Sequence, residues 1–309
     1  CRGASSPSCP SLAQDAAMLL QRVCLRIPAR SWRALSSTPG GAKFDGEVST
    51  IYARMFEQHE HPNGPWSKML AATRSALPDG KGKVIDLATG PGEPAGMIAR
   101  ALPHASVVAT DVSEDMVDKA RARMADLPNV EVAVADMESL RQFEAGSFDV
   151  ATACYAYMFP EDKVLALRET LRVLKPGGTL IATYWTDLKL FHLFGDVMEA
   201  VLGTKAPPPA NPMSLARPGL FDELLAEAGF VVPPSTTQDA YPFNVGTDPD
   251  FQYKLTTMLA KEKLDQLDGH AAAREALFRR LPEYSYTKDG DTFIGPNTYA
   301  LAVATAPME

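Results

Sequence analysis

The sequence of 309 residues lacks several features that mark particular classes of protein. No run approaches the roughly 18 consecutive apolar residues that a membrane-spanning helix needs, so no integral membrane segment is expected. It holds only four cysteines, and three of them lie at Cys1, Cys9 and Cys24. Neither these cysteines nor the five histidines show metal-ligand spacing, so we expect no metal site and no disulfide framework.

Excess positive charge is also missing from most of the chain. The formal net charge is −8, although residues 1–43 hold six bases against the single acid Asp15. Removing these six bases and one acid from the chain's 30 bases and 38 acids leaves a net charge of −13. Such a surface repels a phosphate backbone, and no basic stripe with interleaved aromatics is present. We therefore expect no nucleic-acid partner. The sequence gives no indication of the oligomeric state.

The first 42 residues differ in composition from the rest of the chain. They are rich in arginine, contain serines and are poor in acids, and residues 12–27 could form an amphipathic helix. These features predict a transit peptide that directs the protein to an organelle, the mitochondrion ahead of the plastid. The alternative is a disordered terminus on a cytoplasmic protein. In either case Cys154 is the one cysteine beyond this segment, which fits a reducing compartment.

Strands and helices alternate in the central part of the chain. The predicted strands are Val84–Ala88, Ser106–Thr110, Val130–Ala135, Phe148–Ala153 and Thr179–Trp185. The predicted helices between them are Glu93–Ala101, Ser113–Met124 and Glu161–Leu174, and the turn Lys175–Gly178 follows the last one. This alternation predicts an α/β fold with a doubly wound, Rossmann-like, mostly parallel sheet and helices on both faces.

The regions on either side of this core are predicted to be mainly helical. Residues 46–77 form a helix that is interrupted by a turn at 61–65. Beyond Asp187 the predicted elements are helices at 190–202, 220–228, 251–264 and 271–281, a proline-rich connector at 207–209, and strands at 230–232 and 298–305. We therefore predict one domain over 43–309, with its core at 80–187, an inserted helical lid at 188–228 and 247–282, and terminal strands reaching 306. The alternative is that these helices merely extend the core.

A glycine-rich segment, Asp86–Ala95, joins the first predicted strand to the first predicted helix. Its pattern Gly90-x-Gly92-x-x-Ala95, with Asp111 about 20 residues later, also fits a dinucleotide fingerprint. A pyrophosphate at this helix start would be repelled by Glu93 and Asp86. A cofactor that carries a sulfonium, an ammonium and one carboxylate tolerates these acids far better, although an NAD-dependent oxidoreductase stays an alternative.

Acids follow the next two strands as well. Asp111-Val112 ends the second strand, where a carboxylate can accept both ribose hydroxyl hydrogens. Asp136-Met137 ends the third strand, where the acid could accept the adenine amino group beside an apolar side chain. Acids at three successive strand ends beside a glycine loop predict a site for a nucleoside-type cofactor.

Together with Asp149-Val150 and the segment 171–178, these motifs resemble those of the class I S-adenosylmethionine-dependent methyltransferases. The sequence is most similar to the branch that holds the ubiquinone and menaquinone biosynthesis enzymes and related small-molecule methyltransferases, and the similarity is good over 46–185. The resemblance implies S-adenosylmethionine as the cofactor. It also implies methyl transfer to a small molecule by in-line displacement, to a C, O, N or S nucleophile on a quinone-like, aromatic, thiol or thioether metabolite. A methyltransferase-like binding or assembly factor without turnover stays a further alternative.

The resemblance also implies which residues bind the cofactor. Asp86, Gly90 and Gly92 would hold its methionine part, Met116 and Met137 the faces of adenine, and Tyr52 would approach its carboxylate. The full set of implied cofactor residues is Tyr52, Asp86, Ala88, Thr89, Gly90, Gly92, Asp111, Val112, Met116, Asp136, Met137 and Cys154. The family pattern has a glycine where this sequence has Ala88, which changes the expected loop geometry rather than the ligand.

The acceptor is expected beside the end of the fourth strand. The aromatic residues there could form a wall for a planar or cationic acceptor; they are Tyr155, Tyr157, Phe159, Tyr184 and Trp185. The predicted substrate residues are Tyr155, Tyr157, Trp185, Tyr241 and Tyr253, and Phe191 and Phe243 would help to select the acceptor. His192 is the predicted catalytic base, if a base is needed. The remaining histidines are predicted to be exposed; they are His59, His61, His104 and His270.

Overall fold

The computed structural model describes residue 51 and residues 55–204 and 211–309. The predicted leader, the predicted cofactor residue Tyr52 and the proline-rich connector at 207–209 lie outside the described residues.

One mixed sheet forms the centre of the fold. Its strands are β1 Lys81–Leu87, β2 His104–Asp111, β3 Val130–Val134, β4 Phe148–Cys154, β5 Leu174–Asp187, β6 Val231–Gly246, β7 Ser285–Lys288 and β8 Asp291–Thr305. Their order is β3-β2-β1-β4-β5-β8-β6, and β7 pairs with β8. Strands β1 to β5 are parallel, whereas β8 runs antiparallel to both β5 and β6. The predicted mostly parallel α/β sheet is therefore confirmed.

The α-helices of the described residues, in chain order, are α1 Pro65–Ala76, α2 Ala95–Ala101, α3 Glu114–Arg123, α4 Lys163–Val173, α5 Lys189–Leu202, α6 Leu220–Ala228, α7 Pro249–Thr257, α8 Lys261–Leu267 and α9 His270–Arg280. The chain winds outward from β1 to β3 and then from β4 to β5 in the opposite direction. Right-handed crossovers consequently place helices on both faces, and the switch point lies between β1 and β4.

Helix caps explain where the helices of the core begin. Ser113 accepts a hydrogen bond from the Met116 amide, and Asp162 accepts one from the Leu165 amide. Both are the short polar side chains that satisfy free amides in a first helical turn. The described residues contain no helix with the length and apolar character needed to cross a bilayer.

The last strands are longer than the sequence predicts. Strand β6 extends to Gly246 instead of ending at 232, β8 begins at Asp291 instead of 298, and β7 was not predicted. Strand β6 lies at the edge of the sheet and contains prolines, and its residues 231–238 are largely exposed, so the alternating apolar pattern is missing there. The predicted turn Lys175–Gly178 lies within the bounds of β5, but these four residues have no partner in β4 or β8, and Gly177 has a positive φ of 74°.

These additional residues project past the carboxyl edge of the parallel strands. Asp187 at the end of β5 pairs with Thr298, so residues 291–297 of β8 continue for about 20 Å beyond it. Residues 241–246 of β6 and all of β7 pair with this part of β8. We call residues 241–246, 285–288 and 291–297 the strand extension. It forms a wall above the edge where ligands of parallel sheets bind.

Helices pack around the strand extension. Helix α5 contacts β8 and α9, and α7 contacts β6. The helix predicted at 251–264 is broken by a 3-10 turn at Met258–Ala260, after which α8 resumes with Leu264 fully buried. Buried residues of all these elements belong to the same hydrophobic core as the parallel strands. The predicted lid helices thus share the core of the domain.

Candidate cofactor and acceptor site

The loop after β1 has a left-handed backbone conformation at several residues, which lets a ligand come close to the main chain. Gly90 and Gly92 have positive φ angles of 55° and 111°, and Ala88 has a φ of 53°. A Cβ atom on Gly92 would lie 3.3 Å from the Ala120 Cα and the Met124 Cε. Glycine is therefore required at position 92, whereas Ala88 adopts a left-handed conformation that an L residue rarely takes.

Amides in the first turn of α2 already have acceptors within the chain. Gly96 donates to the Gly92 carbonyl and Met97 to the Glu93 Oε2 at 2.6 Å. The other oxygen of Glu93 accepts from Arg100 at 2.9 Å. Glu93 therefore excludes a pyrophosphate mainly because its carboxylate occupies the helix start, a stronger reason than the charge repulsion that the sequence suggests.

Asp86, at the end of β1, has a carboxylate that is only half satisfied. Its side chain is fully buried, and Oδ1 accepts a hydrogen bond from the Thr152 hydroxyl. Asp86 Oδ2 and the nearby Thr89 hydroxyl are buried, and within the described part of the chain neither makes a hydrogen bond of good geometry, although the Thr89 hydroxyl is close enough to hold the pKa of Asp86 below the value that burial alone would give. Burial raises the pKa of Asp86 from its ordinary 3.8 to about 7. This oxygen is therefore suited to accept a proton or a cationic donor.

Asp111 and Asp136 lie at neighbouring strand ends, as predicted. Asp111 pairs with Val134, the last residue of β3, and the Ala135 amide donates to the Asp111 carbonyl. The Asp111 carboxylate is buried and accepts hydrogen bonds from the amides of Gly90 and Ser113, both at 2.9 Å. Burial raises its pKa despite these bonds. The carboxylate thus couples the glycine loop to the predicted ribose position.

Apolar side chains border these two acids. Val112 is 60% exposed at the end of β2, although valine is usually buried. Met116 is buried on α3, and Met137 is half-buried beside the exposed Asp136, whose Oδ1 accepts from the Glu138 amide. An adenine site needs an apolar surface beside a hydrogen-bond acceptor, and the assignment of these residues to adenine stays a prediction.

A cavity of about 580 Å³ lies elsewhere, against α2. The described residues that line it include Trp66, Glu93, Met97 and Arg100. None of the predicted cofactor residues that the structure describes belongs to this lining. It does not mark the predicted cofactor site.

Aromatic side chains cluster where β4 and β5 end. Tyr155 stacks on Trp185, with ring centroids 4.0 Å apart and an interplanar angle of 7°. The hydroxyl of Tyr241, in β6, is hydrogen-bonded to the Tyr155 hydroxyl at 3.1 Å, and either group can be the donor. The Tyr241 hydroxyl also lies 2.7 Å from the His59 Nδ1. Tyr299 of β8 packs edge-on against Tyr155, Trp185 and Tyr241. We call His59, Tyr155, Trp185, Tyr241, Phe243 and Tyr299 the aromatic cluster.

The predicted aromatic wall is divided between two faces. Tyr184 and Trp185 are successive residues of β5 and consequently point to opposite faces of the sheet. Tyr184 packs against Phe221, as does the buried Tyr157, whose hydroxyl is bonded to Thr170. Of the five predicted wall residues, the structure brings only Tyr155 and Trp185 into the aromatic cluster.

Other predicted acceptor residues lie outside the cluster. The Tyr253 hydroxyl is hydrogen-bonded to the His270 Nδ1 at 2.7 Å and its ring lies below the Arg274 guanidinium, so its side chain contacts α9. His192 is exposed and bonds the Asp187 carboxylate at 2.9 Å, while Phe191 stacks on Phe194. Phe159 is 55% exposed.

The sequence prediction for His59 was wrong, because His59 is buried in the aromatic cluster rather than exposed. The neighbouring Gln58 side chain is hydrogen-bonded to both the amide and the carbonyl of Asn244 in β6. Gly64 permits the tight turn, since a Cβ there would meet the His59 carbonyl oxygen at 2.2 Å. Partners more than 180 residues away give no local signal, so sequence reasoning missed His59 and also Tyr299.

Cys154 lies at the end of β4 beside these residues. The Thr183 hydroxyl donates to its sulfur at 3.6 Å, and desolvation raises the pKa of the thiol to about 12. The thiol therefore stays protonated and does not supply a nucleophile.

The core of the chain matches a known family. Residues 84–178 match the family model described as a methyltransferase domain. Over 149 residues the chain is 36% identical to a demethylmenaquinone methyltransferase of Clavibacter sepedonicus, covering 48% of this chain and 59% of that one. Over 170 residues it is 31% identical to a ubiquinone/menaquinone biosynthesis C-methyltransferase of Desulfotalea psychrophila, covering 55% and 65%. The chain thus spans less than two thirds of the length of these relatives.

Solved structures share the fold. A Bacillus halodurans protein assigned to the methyltransferases has a TM-score of 0.52 at 22% identity, over 78% of this chain and 99% of that one. The [4+2]-cyclase SpnF has a TM-score of 0.50 at 22% identity, over 78% and 81%. At such identities the likeness concerns the fold alone.

Proposed function

We propose, on the premise that this chain is a class I S-adenosylmethionine-dependent methyltransferase, that it transfers the methyl group of that cofactor to a small-molecule acceptor. The observation that carries the proposal is the buried Asp86 carboxylate, one oxygen of which has, in the described part of the chain, no hydrogen bond of good geometry and only the adjacent Thr89 hydroxyl near it, beside a glycine loop of positive φ angles. A buried anion needs a cationic or donating partner, and the cofactor's ammonium group supplies one.

In the proposed pose, the cofactor lies along the carboxyl ends of β1, β2 and β3. Asp86 and Thr89 face the ammonium group, and Asp111 accepts hydrogen bonds from the ribose hydroxyls. Asp136 accepts from the adenine amino group, and Val112 and Met137 cover the base. The net positive charge of the methionine sulfonium and ammonium balances the acids at this edge, which a dinucleotide would not do.

The acceptor would bind against Tyr155 and Trp185, below the strand extension. An aromatic face suits a planar acceptor ring, and the names of the two relatives above point to quinol rings. Methyl transfer needs the acceptor atom in line with the methyl–sulfur bond, so alignment and exclusion of water supply most of the acceleration. The helices α5, α7 and α9, with Tyr253 and His192, would shape the outer part of this site.

A second candidate is a binding or assembly factor that holds the cofactor without methyl transfer. The same fold occurs in a protein named a [4+2]-cyclase, so the fold is not confined to proteins named for methyl transfer. The fold by itself therefore does not select the reaction.

Two measurements test the proposal. Titration calorimetry should show binding of S-adenosylhomocysteine and no binding of NAD. A labelled methyl donor should then label an added acceptor from a panel of quinols, phenols, amines and thioethers. NAD binding in place of S-adenosylhomocysteine would overturn the cofactor assignment, and binding without label transfer to any acceptor would favour the second candidate.

We also propose that residues 1–42 direct the protein to an organelle, on the basis of their arginine-rich, acid-poor composition. A fluorescent protein fused to this segment should enter mitochondria. A fusion that stays in the cytosol would refute this.

A further inference from the structure

Three buried polar groups form one hydrogen-bonded chain inside the aromatic cluster. The Tyr155 hydroxyl lies 3.1 Å from the Tyr241 hydroxyl, which lies 2.7 Å from the His59 Nδ1. All three residues are at most 9% exposed. They come from three distant parts of the chain: the turn before α1, the end of β4 and the strand extension. Only the tertiary structure brings these three hydrogen-bonded side chains together.

A purely structural core would not need these polar atoms. Burying a hydroxyl or an imidazole is unfavourable unless its hydrogen bonds are replaced, and phenylalanine would fill the same space without that penalty. Tyr155 also has a φ of 52°, a left-handed conformation that a bulky residue rarely adopts. Strained residues of this kind concentrate at functional sites, where the surrounding structure holds them in place.

The hydrogen-bonded chain begins at the edge where the proposed reaction takes place. Tyr155 directly follows Cys154, the last residue of β4, and Thr152 of the same strand donates to Asp86. Of the three hydrogen-bonded residues, Tyr155 is therefore the one closest in the sheet to the proposed cofactor site. Tyr241 and His59 lie behind it.

We propose that Tyr155, Tyr241 and His59 form a relay that takes a proton from the methyl acceptor as the methyl group is transferred. This inference rests on the proposed function. Tyr155 is the catalytic residue, because its hydroxyl would touch the acceptor, and Tyr241 and His59 are positioning residues that act through it.

The protons and charges balance in this relay. The acceptor's proton moves to the Tyr155 oxygen, the Tyr155 proton to Tyr241, and the Tyr241 proton to the His59 Nδ1. The electron pair left on the acceptor forms the new bond to the methyl carbon, while the methyl–sulfur bond breaks and leaves a neutral thioether. One positive charge disappears from the sulfonium and one appears on the imidazole, so the total charge of the buried site stays constant.

The protonation states of the resting chain agree with this direction of transfer. Desolvation lowers the pKa of His59 to about 3, so its imidazole is neutral and able to accept a proton. Burial raises the pKa of Tyr155 well above its ordinary value, so its hydroxyl keeps its proton. Because burial disfavours a charged imidazole, the proton should reach His59 only as the methyl group is transferred.

The relay defines the class of acceptor. It serves a nucleophile that must lose a proton, such as a hydroxyl group on an aromatic ring or the ring carbon that such a hydroxyl activates. Tertiary amines and thioethers carry no proton on the attacked atom and would not need it.

The full chain carrying Tyr241→Phe tests the relay, with labelled S-adenosylmethionine as donor and a naphthohydroquinone, a simple phenol, a tertiary amine and a thioether as acceptors. Tyr241→Phe keeps the ring and removes only the central hydroxyl. The matched control is Tyr299→Phe, which removes another buried hydroxyl of the aromatic cluster, one that donates to the Asn63 carbonyl and is not part of the relay.

We expect transfer to the quinol or the phenol, with kcat lowered about 100-fold by Tyr241→Phe and KM within about threefold of wild type. The wild-type rate should fall in D₂O, and Tyr241→Phe should change that solvent isotope effect. Tyr299→Phe should keep kcat within about threefold, and all variants should bind S-adenosylhomocysteine normally.

An unchanged kcat for Tyr241→Phe, or an equal loss for Tyr299→Phe, would overturn the relay. Transfer to the tertiary amine or the thioether alone would also overturn it, while leaving the proposed methyltransferase function intact. A wild-type protein that transfers no methyl group to any acceptor would overturn both.

Discussion

Replacing Asp86 with asparagine separates the contribution of this residue to cofactor affinity from its unfavourable effect on the stability of the fold. The carboxyl group is fully buried, and its pKa rises to about 7 from an ordinary 3.8. This rise corresponds to about 4 kcal/mol of unfavourable interaction for the ionised form, as an upper limit. The asparagine side chain has nearly the same shape as aspartate and carries no charge.

The sign of the pH dependence follows from proton binding. Between about pH 4 and pH 7, the folded state holds a proton on Asp86 that the unfolded chain has already lost, so the stability of the wild type falls as pH rises through this range. Asp86→Asn does not titrate. The difference in unfolding free energy between variant and wild type should therefore change in favour of the variant, by up to about 3 kcal/mol between pH 4.5 and pH 8.

The affinity of the wild type for the cofactor should increase as pH rises, whereas its stability decreases. The ammonium group of S-adenosylhomocysteine favours the ionised carboxylate, so binding below pH 7 must release a proton. The wild-type Kd should rise almost tenfold for each unit of pH below about 7. In Asp86→Asn, binding should be weaker by 100-fold or more at pH 8, on the order of a lost charge-assisted hydrogen bond, and nearly independent of pH.

Urea unfolding at both pH values and calorimetry in two buffers of different ionisation enthalpy measure these effects. Asp118→Asn, which removes one exposed carboxylate from α3, serves as the control and should leave Kd unchanged. A variant that binds S-adenosylhomocysteine as tightly as wild type, or a stability difference that does not change with pH, would refute the reasoning.

Three further substitutions test the cofactor loop. Asp111→Ala should weaken S-adenosylhomocysteine binding by about 2 kcal/mol or more in calorimetry, since it removes the ribose acceptor and frees the Gly90 amide; equal affinity would contradict the ribose assignment. Gly92→Ala should lower the unfolding free energy by about 1–3 kcal/mol, clearly more than Gly146→Ala, which has positive φ but open space around it; equal losses would disprove the close approach. Ala88→Gly should raise thermal stability slightly, by up to about 1 kcal/mol, because its φ of 53° favours glycine, and a loss of stability would contradict the strain.

The sequence by itself determined the parallel core and the positions of its acids. Apolar strands that alternate with helices bury both faces of a sheet, which leaves few topologies, and the polar residue after each strand must then lie at the carboxyl edge. For this reason Asp86, Asp111 and Asp136 could be placed before the structure was known, with bounds correct to within a few residues. Their contacts with a cofactor stay predictions.

The tertiary structure decided the acceptor side. Strand β6 carries prolines and exposed residues, and β8 contains Pro296, so the length of both strands depends on pairing partners rather than on local pattern. His59 is buried because Gln58 and Tyr241 bind the turn to β6, a contact between residues about 180 positions apart. Whether an aromatic residue near β4 joins the cluster, as Tyr155 does, or the opposite face, as Tyr157 does, is set by packing between distant segments. Local periodicity carries no information about such contacts, and only the folded chain brings them together.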